Sequence, residues 1–233
     1  MIERIGIIGA MEAEVAILKE HLEDKQSHTY AEMEFVEGAL NGREVVIVQC
    51  GMGKVNAGIC AHTLIHIFHC TRIINTGVAG SLDNKMDIGD FVISIDAVQH
   101  DYDVSPIGYQ KGEIPYTGLF AFKADEVLIE AAKNALSNAA PEARVFPGRI
   151  CSGDQFIIKH EDKERIVNEF GGLCCEMEGA AIAQACYLSK TPFVIIRCIS
   201  DKPDGSAIMD FEQFSLQAAE KGSKVVLYLL EHF

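Results

Sequence analysis

The sequence predicts an α/β fold in which a central mixed β-sheet is flanked by helices on both faces. Short apolar runs alternate with segments of helical spacing, which is typical of this class. Several runs are continuously apolar rather than alternating, as strands covered on both faces are. No linker-like stretch divides the 233 residues, and one α/β domain can reach this length. We therefore expect a single domain over residues 1–233.

Five strands and two helices account for the first half of the chain. Acidic residues open the segment after the first strand, where the helix dipole favours negative charge. Asn41 and Gly42 separate two β-type runs, which is a strong signal for a two-residue hairpin turn. The predicted strands are residues 4–10, 33–40, 43–50, 72–80 and 91–100, and the predicted helices are residues 11–22 and 56–69.

A long loop opens the second half. Residues 101–120 have no periodicity and contain two prolines, and loops of this length often carry function. Beyond the loop, the pattern returns to alternating elements. The predicted helices are residues 124–139, 161–170, 171–188 and about 210–230, and the predicted strands are residues 143–153 and 192–200.

Composition narrows the classes of partner. The formal net charge is −14 and the isoelectric point is near 4.9. An acidic surface repels nucleic acid and anionic lipid headgroups, so we expect neither partner. The apolar run near the N-terminus is shorter than a signal peptide or a membrane span requires. The eight cysteines include no Cys-x-x-Cys pair and are expected to be buried thiols, so we expect a cytoplasmic protein.

Carboxylates follow several of the predicted strands, where folds of this class bind ligands. Glu12 and Asp201 come directly after strands, and Glu178 lies in the apolar stretch 171–188. The neighbouring glycine-rich turns lack the spacing of a phosphate-binding loop. Such carboxylates suit acid–base chemistry on a neutral, hydroxyl-rich substrate, as in glycoside hydrolysis. For Glu12 and Glu14, solvated acids at a helix start are the alternative.

Three histidines share one face of the second predicted helix. His62, His66 and His69 have a spacing that is compatible with a metal site. No carboxylate neighbours them, however, and the His-Glu-x-x-His motif is absent from the sequence. We therefore expect packing on a helix face rather than metal binding, and we expect no cofactor.

A series of segments resembles, in order and spacing, the 5'-methylthioadenosine/S-adenosylhomocysteine nucleosidases of the purine nucleoside phosphorylase superfamily. The segments are IGIIGAMEAEV, CGMGKVNA, IINTGVAG, GDFVIS, QHDYDV, SGDQFI, CEMEGAAIA and RCISD. The resemblance covers nearly the whole chain. It implies a nucleoside phosphorylase-like fold, a homodimer, and hydrolysis of the adenine N-glycosidic bond of thioether nucleosides, and of 5'-deoxyadenosine, in methionine salvage.

The same resemblance implies roles for individual residues. Glu12 would be the general base that activates water, and Asp201, oriented by Ser200, would be the acid that protonates adenine N7. The other substrate-binding residues it implies are Met52 at the 5'-thio group, Val78 in the glycine-rich turn, Phe156 stacked on adenine, Ile157 at the purine edge, Met177 and Glu178 at the ribose, and Arg197 near the water. Ile107 and Pro115 would reach the pocket of the neighbouring subunit.

Two positions leave alternatives open. Glu176 is expected to be a helix-start or supporting acid without a direct catalytic role. Many relatives have serine where Val78 stands, so the missing hydroxyl points to a changed substrate preference, for example towards aminodeoxyfutalosine.

Two other activities are alternatives for the whole protein. One is a phosphate-dependent purine nucleoside phosphorylase, and the other is a nucleoside-binding protein without turnover.

Overall fold

The structure is a computed structural model that describes residues 3–202 and 207–233, with side chains in the last helix described from Phe211 onwards except at position 212. The strands are β1 Arg4–Gly9, β2 Glu23–Tyr30, β3 Met33–Leu40, β4 Arg43–Gln49, β5 Arg72–Ser81, β6 Phe91–Gln99, β7 Phe122–Lys123, β8 Val145–Ser152, β9 Cys174–Glu176 and β10 Phe193–Asp201. The helices are α1 Glu12–Glu20, α2 Lys54–His66, α3 Glu126–Ala139, α4 His160–Phe170, α5 Gly179–Ser189 and α6 Ala207–His232.

All of these strands belong to one mixed sheet. β1 lies between β4 and β5 and pairs with both in parallel. β5 also pairs in parallel with β10. From β10 the sheet continues through β6, β8 and β9 back to β5, so that five strands close into a ring. Because β1, β5 and β10 are parallel, their carboxyl ends meet at one edge.

Continuous apolar runs form the centre of this sheet. Every residue of β10 is buried, and β1 is buried from its second residue to its end. Helices α2 and α5 pack on each other, while α1 and α3 pack on α6, so two groups of helices cover the sheet. The predicted mixed α/β fold is confirmed. No helix in the described ranges is long and apolar enough to cross a bilayer.

Three strands were not predicted, and one predicted helix is wrong at its start. β2 is polar and almost wholly exposed, so it lacks an apolar pattern and is held by its pairing with β3. β7 has only two residues. Within the predicted helix 171–188, Cys174–Glu176 forms β9 between β5 and β8, and the helix begins only at Gly179. Pairing with distant strands overrides the local pattern there.

The long loop is present where the sequence predicts it. Between β6 and β7 the chain forms one short 3₁₀ turn at Ser105–Ile107 and an isolated bridge between Ile114 and Leu119. The remainder of this segment is irregular. The loop leaves from the end of β6 that lies beside the end of β8, and Asp101 at its start pairs with Lys54, the first residue of α2, at 2.6 Å.

Candidate active site

A cavity of about 600 Å³, including its mouth, opens at the carboxyl ends of β1, β5 and β10. The segment between β9 and α5 closes one side of it. Its described lining residues are Ala10, Met11, Glu14, Met52, Val78, Ala79, Gly80, Gln155, Phe156, Ile157, Cys175, Glu176, Met177, Glu178, Ser200, Asp201 and Phe211.

Glu14 is a cavity-lining acid that three backbone N–H groups hold in place. It is the third residue of α1, and its Oε2 accepts hydrogen bonds from the N–H groups of Ala10 at 2.6 Å and Met11 at 2.9 Å. Its Oε1 accepts from the Val78 N–H at 3.0 Å. Gly77 permits this approach, since a Cβ there would lie 2.7 Å from Oε1. Burial raises the pKa of Glu14, against the opposing effects of Arg197 and the three N–H donors.

Glu12 does not lie in the cavity, so its placement at the active site is a prediction that the structure corrects. Its side chain is 56% exposed and forms an ion pair with Lys19 at 3.0 Å. The physical reason is helix geometry, because residues two apart on an α-helix point about 200° away from each other. With Glu14 facing inwards, Glu12 has to face solvent. Glu14, which was expected to be only a helix-start acid, is the glutamate of this segment that lines the cavity.

Glu176 and Glu178 are both buried but have different surroundings. Glu176 bonds with the Ser152 hydroxyl and the Arg197 guanidinium through short contacts, and its Oε2 accepts from the Gly179 N–H at 2.8 Å. Glu178 accepts from the Gly53 N–H at 2.8 Å. Burial, reinforced by the negative charge of Glu176, raises the pKa of Glu178 to about 7. Glu176 is thus held by protein partners, whereas Glu178 has capacity left for a ligand.

Arg197 lies behind the carboxylates rather than at the cavity wall. It is only 2% exposed, and one terminal nitrogen donates to Asn75 Oδ1 at 2.5 Å as well as to Glu176. It does not appear among the lining residues. Arg197, which was expected near the water and ribose, therefore lies behind the cavity wall. Instead its charge offsets part of the charge of Glu14, Glu176 and Glu178.

Asp201 ends β10 on the opposite side of the cavity. The Ser200 hydroxyl donates to its Oδ1 at 3.1 Å, as the sequence reasoning expected. The ammonium group of Lys163, on α4, donates to Oδ2 at 3.1 Å. Gly80 makes room for the carboxyl, since a Cβ there would lie 2.8 Å from Oδ2. The carboxyl is therefore held from two sides.

Aromatic and sulfur-containing side chains form the mouth. Met52 is 64% exposed and Phe156 is 46% exposed, and both line the cavity, as Ile157, Met177 and Val78 also do. Phe211 of α6 packs edge-on against Phe156, with ring centroids 5.3 Å apart. The sequence reasoning missed Phe211. It lies within a helix that carries no other site motif, and no sequence signal sets it apart from core phenylalanines.

Ile107 and Pro115 lie in the long loop and do not line the cavity of their own chain. Ile107 is 72% exposed. His62 and His66 of α2, whose rings lie 4.4 Å apart, do not line the cavity. His69 lies beyond the end of α2 and has a φ of 55°, so the predicted common helix face of the three histidines is wrong for His69. Within the described ranges, no cluster of three or more potential metal-binding side chains occurs.

Comparison with known proteins identifies the family of this chain. The sequence profile of the phosphorylase superfamily matches residues 4–231. The 5'-methylthioadenosine/S-adenosylhomocysteine nucleosidase of Shewanella loihica is 42% identical over 98% of this chain and 99% of its own length. The chain belongs to the 5'-methylthioadenosine/S-adenosylhomocysteine nucleosidase family of the phosphorylase superfamily.

Solved structures in the nucleosidase family have the same fold. The Neisseria meningitidis nucleosidase, crystallised with methylthio-immucillin-A, matches with a TM-score of 0.95 and 37% identity, with both chains covered completely. A second structure, the futalosine hydrolase of Helicobacter pylori, matches with a TM-score of 0.94 and 31% identity over 100% of this chain and 99% of that one.

The site of this nucleosidase-family chain has the groups that N-glycosidic chemistry needs. Glu14 is a buried acid in the first turn of α1, Asp201 is a buried acid at the end of β10, and Glu178 lies between β9 and α5. The four buried carboxylates that line the cavity, those of Glu14, Glu176, Glu178 and Asp201, have two buried cations beside them, Arg197 and Lys163, so the fully ionised site is negative. A negative, partly desolvated cavity stabilises positive charge that develops on a bound sugar.

Proposed function

We propose that this chain hydrolyses the adenine N-glycosidic bond of 5'-methylthioadenosine and S-adenosylhomocysteine, releasing adenine and the 5-thio-ribose. 5'-Deoxyadenosine is a further expected substrate. The observation that carries the proposal is Glu14, a buried carboxylate held by three backbone N–H groups at the cavity wall. The family membership and the names of the relatives support the same reaction.

Glu14 acts in this proposal as the general base. A carboxyl whose pKa is raised by burial is a stronger base than one in water, while three N–H donors fix its orientation. It takes a proton from a water molecule, and the water oxygen bonds to C1' of the ribose. Because the backbone holds the carboxylate, the water is positioned without a loss of side-chain freedom at the moment of reaction.

Asp201 acts as the general acid. Its O–H bond breaks as an N–H bond forms at adenine N7, and the electron pair of the C1'–N9 bond passes to the purine, which leaves as neutral adenine. Ser200 holds the carboxyl through Oδ1. Phe156 stacks on the base, Phe211 supports Phe156, and the backbone of Ile157 binds the purine edge.

Glu178 binds the ribose hydroxyls, with Met177 against the sugar. In the free protein its carboxylate accepts from the Gly53 N–H, and the substrate hydroxyls supply further donors. As the bond breaks, positive charge builds up on the ribose, and the charges of Glu178 and Glu14 stabilise it. Met52 contacts the 5'-thio substituent at the mouth, next to Val78.

Water rather than phosphate is the proposed nucleophile. A phosphate site needs cationic side chains or free backbone donors. Among the described residues that line the cavity, none is lysine or arginine, and the Val78 N–H already donates to Glu14. Arg197 is engaged by Asn75 and Glu176. An anion would therefore meet negative charge without compensation.

Aminodeoxyfutalosine hydrolysis is a second candidate activity. The likeness to the futalosine hydrolase of Helicobacter pylori favours it. The exposed Met52 and Phe156 leave the mouth open towards larger 5' substituents. The apolar Val78 at the wall distinguishes this chain from relatives with serine, and the hydroxyl that is missing there changes the contacts near the sugar.

We also propose a cytoplasmic homodimer in which the 233 residues of each chain act as one domain. Large apolar side chains are exposed on α2, α5 and the long loop, including Val55, Leu188 and Tyr116, and exposed apolar surface of this kind marks association sites. Ile107 and Pro115 would then reach the partner's cavity. All eight cysteines are free and buried, which suits a reducing compartment.

Adenine release from four nucleosides tests the proposal. The purified protein is incubated with 5'-methylthioadenosine, S-adenosylhomocysteine, 5'-deoxyadenosine and aminodeoxyfutalosine, each with and without phosphate. We expect adenine from the first two at rates that do not depend on phosphate, and no ribose 1-phosphate. Phosphate-dependent product would establish a phosphorylase instead, and binding without turnover would establish a sensor.

A further inference from the structure

Lys163 is a buried lysine on the inner face of α4. Its side chain is 2% exposed, and it shares the buried side of the helix with Ile166 and Phe170. In the described part of the chain it is the one lysine in the buried class. An ammonium ion at such a position is costly unless it is paired and hydrogen-bonded.

The partner of this lysine is the acid of the proposed reaction. Lys163 Nζ donates to Asp201 Oδ2 at 3.1 Å and to the Lys202 carbonyl oxygen at 2.9 Å. With Ser200 on Oδ1, each oxygen of the Asp201 carboxyl has a donor.

We propose that Lys163 is a positioning residue for the reaction, which fixes the Asp201 carboxyl and stabilises the negative charge that appears on it when its proton passes to the leaving purine. The inference rests on the proposed function of Asp201. In the transfer the Asp201 O–H bond breaks and the N7–H bond forms, while Lys163 keeps all its protons. The ammonium acts on the charge that develops in the transition state, and preorganised charge of this kind lowers the barrier.

Loss of Lys163 is expected to lower kcat and to leave KM nearly unchanged. Lys163 does not line the cavity, so its loss removes an interaction made by Asp201 in the transition state and leaves the contacts of the ground-state nucleoside in place. In Lys163→Met we expect kcat with 5'-methylthioadenosine to fall on the order of 10²-fold, within the range for general acid catalysis. We expect KM to stay within about threefold.

A double-mutant cycle with Asp201→Asn identifies the route of the effect. If Lys163 acts through Asp201, Lys163→Met lowers the kcat of Asp201→Asn by no more than about threefold. Lys163→Arg retains the cation and is expected to recover much of the lost rate. Arg165→Met is the matched control, because Arg165 is a half-exposed cation on the same helix, 3.6 Å from Glu169, and we expect wild-type kinetics from it.

Folding is checked by thermal unfolding and by the affinity for 5'-methylthiotubercidin, which lacks N7 and so reports binding without proton transfer. If Lys163→Met does not fold, the comparison of Lys163→Arg with Lys163→Gln replaces it. The inference is overturned if a folded neutral variant keeps kcat within threefold of wild type, or if it lowers the Asp201→Asn rate by a further 10²-fold. An active Asp201→Asn variant would instead overturn the proposed acid, and an inactive wild-type protein would overturn the proposed function.

Discussion

Two short acidic motifs border the same cavity, and they differ in how many of their glutamates are buried. In Glu12-Ala13-Glu14 both acids belong to the first turn of α1, and only Glu14 is buried. In Glu176-Met177-Glu178 the chain passes from β9 into α5, and both acids are buried. The spacing is identical, so the backbone conformation decides which carboxylates reach the cavity.

The difference also separates two kinds of buried acid. Glu176 is neutralised by Arg197 and hydrogen-bonded to Ser152, and its partners are all within the protein. Glu14 and Glu178 are bound by backbone N–H groups, and burial raises the pKa of each. Carboxyls with raised pKa values at a cavity wall are candidates for chemistry, whereas a paired carboxylate is a structural element.

The largest effect is expected from the first motif. Glu14→Gln removes the proposed base while preserving shape, so we expect kcat for adenine release from 5'-methylthioadenosine to fall by roughly 10³-fold. Glu12→Gln only breaks an exposed ion pair with Lys19, which contributes little energy, and should keep kcat within about twofold. The reverse pattern, an active Glu14→Gln and an inactive Glu12→Gln, would restore the original assignment from sequence.

In the second motif, we expect Glu176 to contribute to the stability of the protein and Glu178 to contribute to substrate binding. Glu176→Gln leaves the buried Arg197 guanidinium without its anionic partner, and breaking such a pair costs about 3–5 kcal/mol. Denaturant unfolding at pH 8 measures the free energy of unfolding. The matched variant Glu178→Gln should not destabilise the ligand-free protein at this pH, because it removes a carboxylate that burial disfavours. Equal losses in both variants would contradict the distinction.

The pH dependence sharpens the comparison further. The folded-state pKa of Glu178 is about 7, raised from an ordinary value of 4.5 by burial and by Glu176, and opposed by Arg197. A raised carboxyl pKa means that the folded state binds the proton more tightly, so stability is lost as the pH rises from about 4 to about 7. Glu178→Gln is therefore expected to gain roughly 3 kcal/mol at pH 8 and nothing at pH 4.

The activity is expected to rise with pH over the same range in which the stability falls. Ionised Glu178 is the form that stabilises positive charge on the ribose, so kcat/KM for 5'-methylthioadenosine should fall as the pH drops below about 7. Glu178→Gln should have a lower rate throughout, and its acidic limb should move to lower pH because the carboxyl with the pKa of about 7 is then absent. A limb with an unchanged midpoint in the variant would assign it to another group.

Much of this fold follows from short-range patterns. The apolar runs of β1, β5 and β10, the Asn41-Gly42 hairpin and the long loop were all predictable. In each of them the residues of the segment itself favour the conformation that the structure has. β2 and β9 were not, since the first has no apolar face and the second is three residues that only pairing with β5 and β8 makes extended. The helix 171–188 was predicted from composition, and the strand inside it depends on distant partners.

Most of the residue types at the site were predictable from the sequence, but the directions in which their side chains point were not. The converging strand ends placed Asp201 and Ser200 correctly beside the cavity. Choosing Glu14 over Glu12 requires the phase of α1, which is set by burial of Val15 and Leu18 in the core. Lys163 was not predicted at all, because a lysine in a charged helix such as α4 ordinarily faces solvent.

The smallest expected effect concerns Val78, whose backbone and side chain have separate tasks. The N–H holds Glu14 in any variant, so substitution should not disturb the base, and the side chain alone lines the cavity. Val78→Thr adds a hydroxyl at nearly constant volume. We expect it to change kcat/KM by less than about tenfold and to favour 5'-methylthioadenosine over aminodeoxyfutalosine, because a new polar contact near the sugar is worth about 1 kcal/mol.

Val78→Ala is the control, since it removes volume without adding a polar group. If the preference depends on hydrogen bonding, Val78→Ala should alter both substrates alike, and only Val78→Thr should change the ratio of their kcat/KM values. A ratio that changes equally in the two variants would mean that cavity shape at this turn sets the preference. Since Glu14 keeps its N–H donor in each case, any loss of rate common to both substrates measures the packing around the base rather than its chemistry.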